Sequence, residues 1–206
     1  MKTVFLVANG DLRLAANQSC EAAQADMEKK LGSAVTKLGG TVKRAHLYDE
    51  EKKHGFIDSQ AYGIEVFKSI PKTAPLIVAE AVWQYSHHIL AGLFTHKGPI
   101  LTAANWSGTW PGLVGLLNLN ASLTKAGVRY SSLWSEDFID EFFMKGLKAW
   151  LKTVAVKHDA SHVVQYKRAK VPAKAEKIGK GFAQEFRGNK AIIGVFDEGC
   201  MGMYNA

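Results

Sequence analysis

The sequence predicts an α/β protein built on a five-stranded doubly wound parallel sheet of the flavodoxin-like or Rossmann-like kind, with the start of a second α/β domain at its end. Three observations predict the sheet. Short apolar runs of strand length alternate with longer stretches whose apolar residues recur every three or four positions. The short runs are apolar throughout instead of alternating, as strands covered by helices on both faces are. Breakers stand where the longer stretches end: Gly39-Gly40, Pro71 and Gly127.

The first strand is the run Thr3 to Ala8, followed by a long helix with Ala16, Cys20, Ala23, Met27, Leu31, Ala34 or Val35, and Leu38 on one face. Thr41 to Leu47 reads as the second strand. Phe56 to Ile70 reads as the second helix, with Ile57, Ala61, Ile64, Phe67 and Ile70 along one side. Pro75 to Ala79 is the third strand, continuing towards Trp83, and a short helix from His87 to Phe94 follows. Ile100 to Ala104 is the fourth strand. Pro111 stands where a first helical turn accepts proline, opening a helix through Leu113, Leu116, Leu117, Asn120 and Leu123. Val128 to Leu133 is the fifth strand. The fifth helix is expected from Glu136 to Lys157, with Asp137, Asp140 and Glu141 on its charged outer face.

Residues 1–157 thus make one N-terminal domain, and 158–189 a linking helical segment. The protein carries 26 Lys and Arg against 19 Asp and Glu, a net charge of +7. Nearly all of that excess lies in 166–190, where Lys167, Arg168, Lys170, Lys174, Lys177, Lys180, Arg187 and Lys190 face only Glu176 and Glu185. Val171, Ala175, Ile178, Phe182 and Phe186 recur at helical spacing there. The segment reads as an amphipathic helix with a solvated basic face, without the interleaved aromatics that stack on bases, so no nucleic-acid partner is expected. Residues 190–196 read as a further buried strand, followed by the glycine-containing loop 197–204. Either it joins the edge of the first sheet, or 190–206 begins a second α/β domain of which this chain is a fragment; the second is the expectation taken.

Composition excludes several classes. Hydrophobic residues at 47% and charged residues at 22% are globular values, which disordered and fibrous chains do not reach. Two cysteines, Cys20 and Cys200, make neither a disulfide scaffold nor a multi-cysteine zinc module and fit a reducing compartment. The run Val4 to Ala8 is too short for a signal peptide, and nothing approaches the roughly 20 apolar residues of a membrane span. A cytoplasmic protein without a membrane partner is expected.

In an open sheet of this kind ligands bind beyond the carboxyl ends of the strands where strand order reverses, here between the first and third strands. The loops at that rim are 9–14 and 82–88, with 105–112 close by. They concentrate polar and aromatic residues, the combination that suits sugars, whose C–H faces pack on rings while their hydroxyls need donors and acceptors. Arg13 offers a fork of donors, or else a salt bridge to Asp11. Trp83, Trp106 and Trp110 serve either a ligand or packing. The spaced glycines of a dinucleotide site and the Gly-Lys-Ser/Thr phosphate loop are missing, which disfavours a flavin or nucleotide domain. His158 and His162 stand four apart without the His-Glu-x-x-His pattern, His87-His88 point apart if helical, Asp197-Glu198 is a lone acidic pair, and Cys200 has no histidine partner; none of these makes a metal or nucleophile site.

Trp83-Gln84-Tyr85, the stretch Asn105 to Val114 (Asn-Trp-Ser-Gly-Thr-Trp-Pro-Gly-Leu-Val) and Gly199-Cys200-Met201-Gly202-Met203-Tyr204 resemble the N-terminal region of the L-fucose isomerase family, whose wider superfamily includes L-arabinose isomerase. The resemblance spans nearly the whole chain but only the first third to half of such an enzyme. It implies a three-domain aldose–ketose isomerase that moves a proton between C1 and C2 of a free sugar such as L-fucose, D-arabinose or L-arabinose, through an enediol. It also implies a divalent metal, usually Mn²⁺, held by residues of later domains. Arg13 and Trp83 match family positions that reach the sugar, often in a neighbouring subunit's site; Asp11 and Tyr85 are added by proximity to them. The family's Glu, Asp and His ligands find no match here, so the isolated chain is expected to lack catalysis and bind no metal. A homo-oligomer, trimeric or hexameric, is implied. The alternative is a stand-alone, non-catalytic sugar-binding module.

Overall fold

The computed structural model describes residues 3–81, 88–109, 111–190, 192 and 194. Residues up to Lys157 belong to one compact unit and a second begins at His158. In the first unit, β1 (Thr3–Val7), β2 (Thr41–Arg44), β3 (Leu76–Glu80), β4 (Ile100–Asn105) and β5 (Ser131–Ser135) form one sheet in the order β2-β1-β3-β4-β5, every pairing parallel. This is the flavodoxin-like order, and the α/β fold class read from the sequence is the one observed. The strand interior to the sheet are the apolar ones; β2 (Thr-Val-Lys-Arg) and β5 (Ser-Ser-Leu-Trp-Ser) carry the polar residues and occupy its edges.

Alternation along the strands sorts the core into two layers. Leu6, Ile77, Leu101 and Leu133 pack with Met27 and Leu31 of α1 (Leu14–Lys37) and with Phe143, Leu147 and Trp150 of α5 (Glu141–Thr153). Val7, Leu76, Val78 and Ile100 pack on the opposite face with Val66 of α2 (Gln60–Ser69), Leu93 of α3 (Leu90–Thr95) and Leu119 and Leu123 of α4 (Leu113–Lys125). Each face is thereby closed to water, which a continuous apolar strand requires.

Several boundaries differ from the sequence expectation, each for a local reason. Helix α2 begins at Gln60, not Phe56, because the Ser59 side chain caps it by accepting the Tyr62 N–H at 3.2 Å. Ile57 is instead an extended residue bridged to Asn9, and the buried side of α2 runs through Gly63, Val66 and Ile70, leaving Ala61 and Ile64 exposed. Helix α5 begins at Glu141. Asp140 is its N-cap, accepting from Phe143 N–H at 2.8 Å and from the Ser135 hydroxyl, so Asp137 and Asp140 precede the helix and only Glu141 of the three exposed carboxylates lies on it. Phe138, expected within that helix, lies in the preceding loop with φ +65° and its ring buried. Strand β5 starts three residues later than expected, and Leu117 of α4 is exposed. Helix α1 stops as expected, with Gly39 at φ +81°.

The connection 45–59 between β2 and α2 is longer than the sequence suggests and is stapled to α1. Arg44 grips the Glu28 carboxylate through Nε at 2.7 Å and Nη2 at 3.1 Å, and donates to the carbonyls of Gly55 and His46. The Gly55 N–H donates to Glu21 Oε2 at 2.8 Å. Under this latch lies His46, whose Nε2 accepts the Ala8 N–H at 2.9 Å, so the neutral ring carries its proton on Nδ1. Burial, reinforced by the Arg44 charge, pushes its pKa down to about 3. The unfolded ring takes up a proton near pH 6.5, so stability is lost as pH falls below that value, by about 1.4 kcal/mol per unit. His46→Leu leaves the Ala8 N–H without its acceptor and is expected to cost about 1–3 kcal/mol at pH 7. The deficit should shrink by about 2 kcal/mol at pH 5, where only the wild type carries the protonation penalty; urea midpoints at the two pH values check this.

In the second unit a 3₁₀ turn, Tyr166–Arg168, precedes α6 (Ala173–Gly188). Ile178, Phe182 and Phe186 stand on one side of α6, exposed, with the two phenyl rings stacked 6.0 Å apart. His158 and His162 lie in exposed irregular chain, so the helical i,i+4 relation between them is not formed. The expected strand 190–196 and the loop 197–204, with Asp197, Glu198 and Cys200, fall almost wholly outside the described residues.

Candidate functional site at the strand-order reversal

Strands β1 and β3 are neighbours while their following helices cover opposite faces, which places the reversal between their carboxyl ends. Beyond β1 the chain stays extended through a hydrogen bond from Gly10 N–H to Ile57 O at 2.7 Å, then turns at Asp11. Asn17 on the first turns of α1 holds that turn from both sides: its Oδ1 accepts the Asp11 N–H at 2.7 Å and its Nδ2 donates to the Asp11 carbonyl at 2.9 Å.

The fixed turn aims the Asp11 carboxylate, itself buried, at Arg13. Oδ1 accepts from Arg13 Nε at 2.8 Å and from its backbone N–H at 2.9 Å, and Oδ2 accepts from Nη2 at 3.1 Å. Burial raises the Asp11 pKa, but these hydrogen bonds and the guanidinium charge outweigh it and hold the carboxyl below its ordinary value. The Arg13 side chain stays 65% exposed. Two of its five N–H donors are spent on Asp11, which leaves the outer edge of the fork in solvent with its orientation fixed. Leu12 and Leu14 flank it, both exposed. The salt bridge therefore does not consume the fork: it fixes the orientation of the donors left in solvent.

On β3 the carboxyl end is set by Gln24 of α1, whose amide donates to the Ala79 carbonyl at 3.1 Å and accepts the Ala81 N–H at 3.1 Å. Between them Glu80 is 1% exposed, and its Oε1 has no hydrogen-bond partner among the described residues. Burial alone pushes its pKa up to about 8. His88, beyond the third strand, is also buried, is held below its ordinary pKa by that burial, and its Nε2 has no hydrogen-bond partner among the described residues. Trp83, Tyr85, His87 and Trp110 lie outside the described residues. Of the four expected sugar contacts, the structure therefore brings together Asp11 and Arg13 alone.

The loop after β4 is closed by Asn105, which donates to Ser107 O at 2.9 Å and accepts the Gly112 N–H at 3.1 Å. Trp106 is 50% exposed on it. Between this loop, α1 and the loop after β5 runs a groove of about 550 Å³ with Ser19, Asp26, Ser107, Thr109, Glu136 and Asp137 on its walls. Neither Asp11 nor Arg13 lines it. Sequence reasoning missed Glu80 and Asn17. For Glu80 a signal existed, a carboxylate ending a strand of otherwise apolar residues at the expected rim. Asn17 had none, because its role depends on the fold of the preceding turn.

A metal can be tested against these residues. Among the described residues no three of His, Cys, Asp or Glu come together to hold an ion, so the Mn²⁺ that the family resemblance implies does not fit them and no step is assigned to it. Among the described residues no helix is long and apolar enough to cross a membrane. No protein-family model matches the chain, and no curated protein matches it.

Proposed function

We propose that this chain is the substrate-recognition portion of an aldose–ketose isomerase acting in the cytoplasm on a free sugar such as L-fucose, D-arabinose or L-arabinose. The observation that carries the reading is the Arg13 fork, locked on a buried carboxylate at the strand-order reversal with its remaining donors turned to solvent. Such a group binds and orients hydroxyl oxygens without first losing rotamer freedom. The apolar flanks Leu12 and Leu14 suit the C–H face of a sugar or a neighbouring copy, and a homo-oligomer that carries this rim to another subunit's reacting centre is part of the proposal. In the reaction, a proton passes between C1 and C2 through an enediol. The part supplied by these residues is orientation of the sugar, so the isolated chain is expected not to convert the sugar and to bind it much more weakly than micromolar.

Arg13→Ala is expected to weaken binding of the cognate sugar at least about tenfold, and Arg13→Lys to restore only part of it, since an ammonium cannot hold both Asp11 and a hydroxyl in fork geometry. In a complete enzyme the same change should raise KM more than it lowers kcat. Calorimetry against the three sugars, with thermal melts to confirm folding, is the test; sugar binding that ignores both substitutions refutes the assignment. Micromolar binding of a free sugar by this chain alone would favour the second reading, a stand-alone sugar-binding module.

A further inference from the structure

Helix α6 has no buried residue, and its two long faces differ in chemistry. Ala175, Ile178, Phe182 and Phe186 follow at three- and four-residue steps and share one face. Ile178 and Phe182 are 63% and 66% exposed, and Val171, just before the helix, is exposed as well. Lys177, Lys180 and Arg187 fall on the opposite face, with Lys174 at its border. Lys180 pairs with Glu176 one turn earlier, and both stay in solvent. Over 166–190, eight Lys and Arg stand against two Glu. A contiguous exposed apolar face marks an interaction surface. Intrinsic propensity does little to hold this helix. Gly179 and Gly181 lie inside it, and neither has an atom within 4 Å of where a Cβ would stand, so no close approach demands glycine there. A helix of 16 residues with two interior glycines is marginal alone in water and draws its stability from whatever covers its apolar side.

We propose that α6 lies in the surface of an anionic lipid bilayer, with Ile178, Phe182 and Phe186 at the acyl boundary and the basic side chains reaching to lipid phosphates. The arrangement of its two faces favours lipid over other anionic partners. A nucleic acid offers charge without an apolar bed and would leave both phenyl rings in water. A bilayer interface is apolar beneath the helix and anionic along both flanks. That suits cations held away from the apolar face on long flexible stems. The excess of six positive charges adds an attraction that an uncharged bilayer does not supply. The expectation of no membrane partner rests on the length of apolar runs and concerns spanning alone; a helix of this kind lies on a bilayer without crossing it. The inference stands apart from the sugar reading.

The test is flotation of the whole chain with vesicles of phosphatidylcholine, and with vesicles of phosphatidylcholine and phosphatidylserine in equal amounts. The mixed vesicles should bind the chain at least about tenfold more tightly than phosphatidylcholine alone. Raising salt from about 0.1 M to about 1 M should weaken that binding several-fold, because the reach of surface charge shortens. Phe182→Glu should weaken it at least about tenfold with the melting temperature unchanged, since the ring is exposed. Lys177→Glu combined with Lys180→Glu should do the same through charge. Absence of flotation with the mixed vesicles, equal flotation on both compositions, or flotation unchanged in Phe182→Glu each overturns the proposal. So does a lowered oligomeric state of Phe182→Glu without lipid, which would make this face an interface between copies. Retention on heparin without flotation would make 166–190 a polyanion site and overturns it too. Sugar binding at Arg13 is read separately and is untouched by any of these results.

Discussion

Gly112→Ala is expected to be the most damaging single methyl in the protein, costing about 3 kcal/mol or more. The backbone at Gly112 is ordinary, with φ −75° and ψ −11°, so the demand for glycine is not conformational. It comes from contact. A Cβ at this position would stand 1.8 Å from the Glu80 carbonyl oxygen, 2.5 Å from its carbon and 2.9 Å from the Ala81 Cα, all of them main-chain atoms. No rotamer change relieves that overlap, so the start of α4 must lift from the end of β3 and take the Asn105 hydrogen bond to Gly112 N–H with it. Overpacking of a core typically costs 1–3 kcal/mol, and a clash with fixed backbone belongs at or beyond the upper end. At roughly 2–4 °C per kcal/mol for a unit of this size, the melting temperature should fall by about 10 °C. Gly32→Ala makes the opposite control. Gly32 sits inside α1 with nothing within 4 Å of its Cβ position, so alanine there should stabilise by up to about 1 kcal/mol through helix propensity. Equal melting of the two variants would show that α4 does not approach β3 as closely as described.

The contrast explains which parts of the fold were legible. Central strands β1, β3 and β4 were, because burial on both faces forces an uninterrupted apolar run that no exposed segment resembles. Edge strand β5 was displaced in the reading because Val128 and Tyr130, the apolar residues that drew it forward, pack against the core from the turn before the strand. Helix α2 was begun too early because Ile57 fits helical spacing by coincidence; its burial comes from bridging Asn9, a contact 48 positions away in sequence. Two of the displaced helix starts, those of α2 and α5, carry a side-chain cap, Ser59 and Asp140, that marks the boundary; α3, expected from His87 and observed from Leu90, carries none. At the site the pattern is similar. The Asp11–Arg13 pair is local and was anticipated as one of two readings of Arg13. The burial of Glu80 is not local: it follows from a helix start thirty-two residues later coming to rest on the strand end, which no spacing announces.

Glu80→Gln is expected to stabilise the protein at neutral pH by roughly 3 kcal/mol, and to do so in a pH-dependent way that separates electrostatics from packing. The folded state keeps this carboxyl protonated up to about pH 8, whereas the unfolded chain releases the proton near pH 4.5. Between those values the folded state binds more protons than the unfolded one, so stability falls as pH rises, by about 1.4 kcal/mol per unit. Below pH 4.5 both states are protonated and Glu80 contributes no slope; above pH 8 its penalty is complete. His46 has the opposite sign, its contribution being lost as pH falls below 6.5, so the two buried groups pull the stability curve down from opposite sides. Glutamine has the shape of the protonated acid and cannot ionise. The two proteins should therefore be nearly equal at pH 5 and diverge steadily towards pH 8, a divergence in which every titration other than that of Glu80 cancels. Urea midpoints at pH 5, 6, 7 and 8 measure it. Parallel curves would mean that Glu80 reaches water or a cation in the folded protein, and with that the sealed carboxyl end of β3 would have to be redrawn.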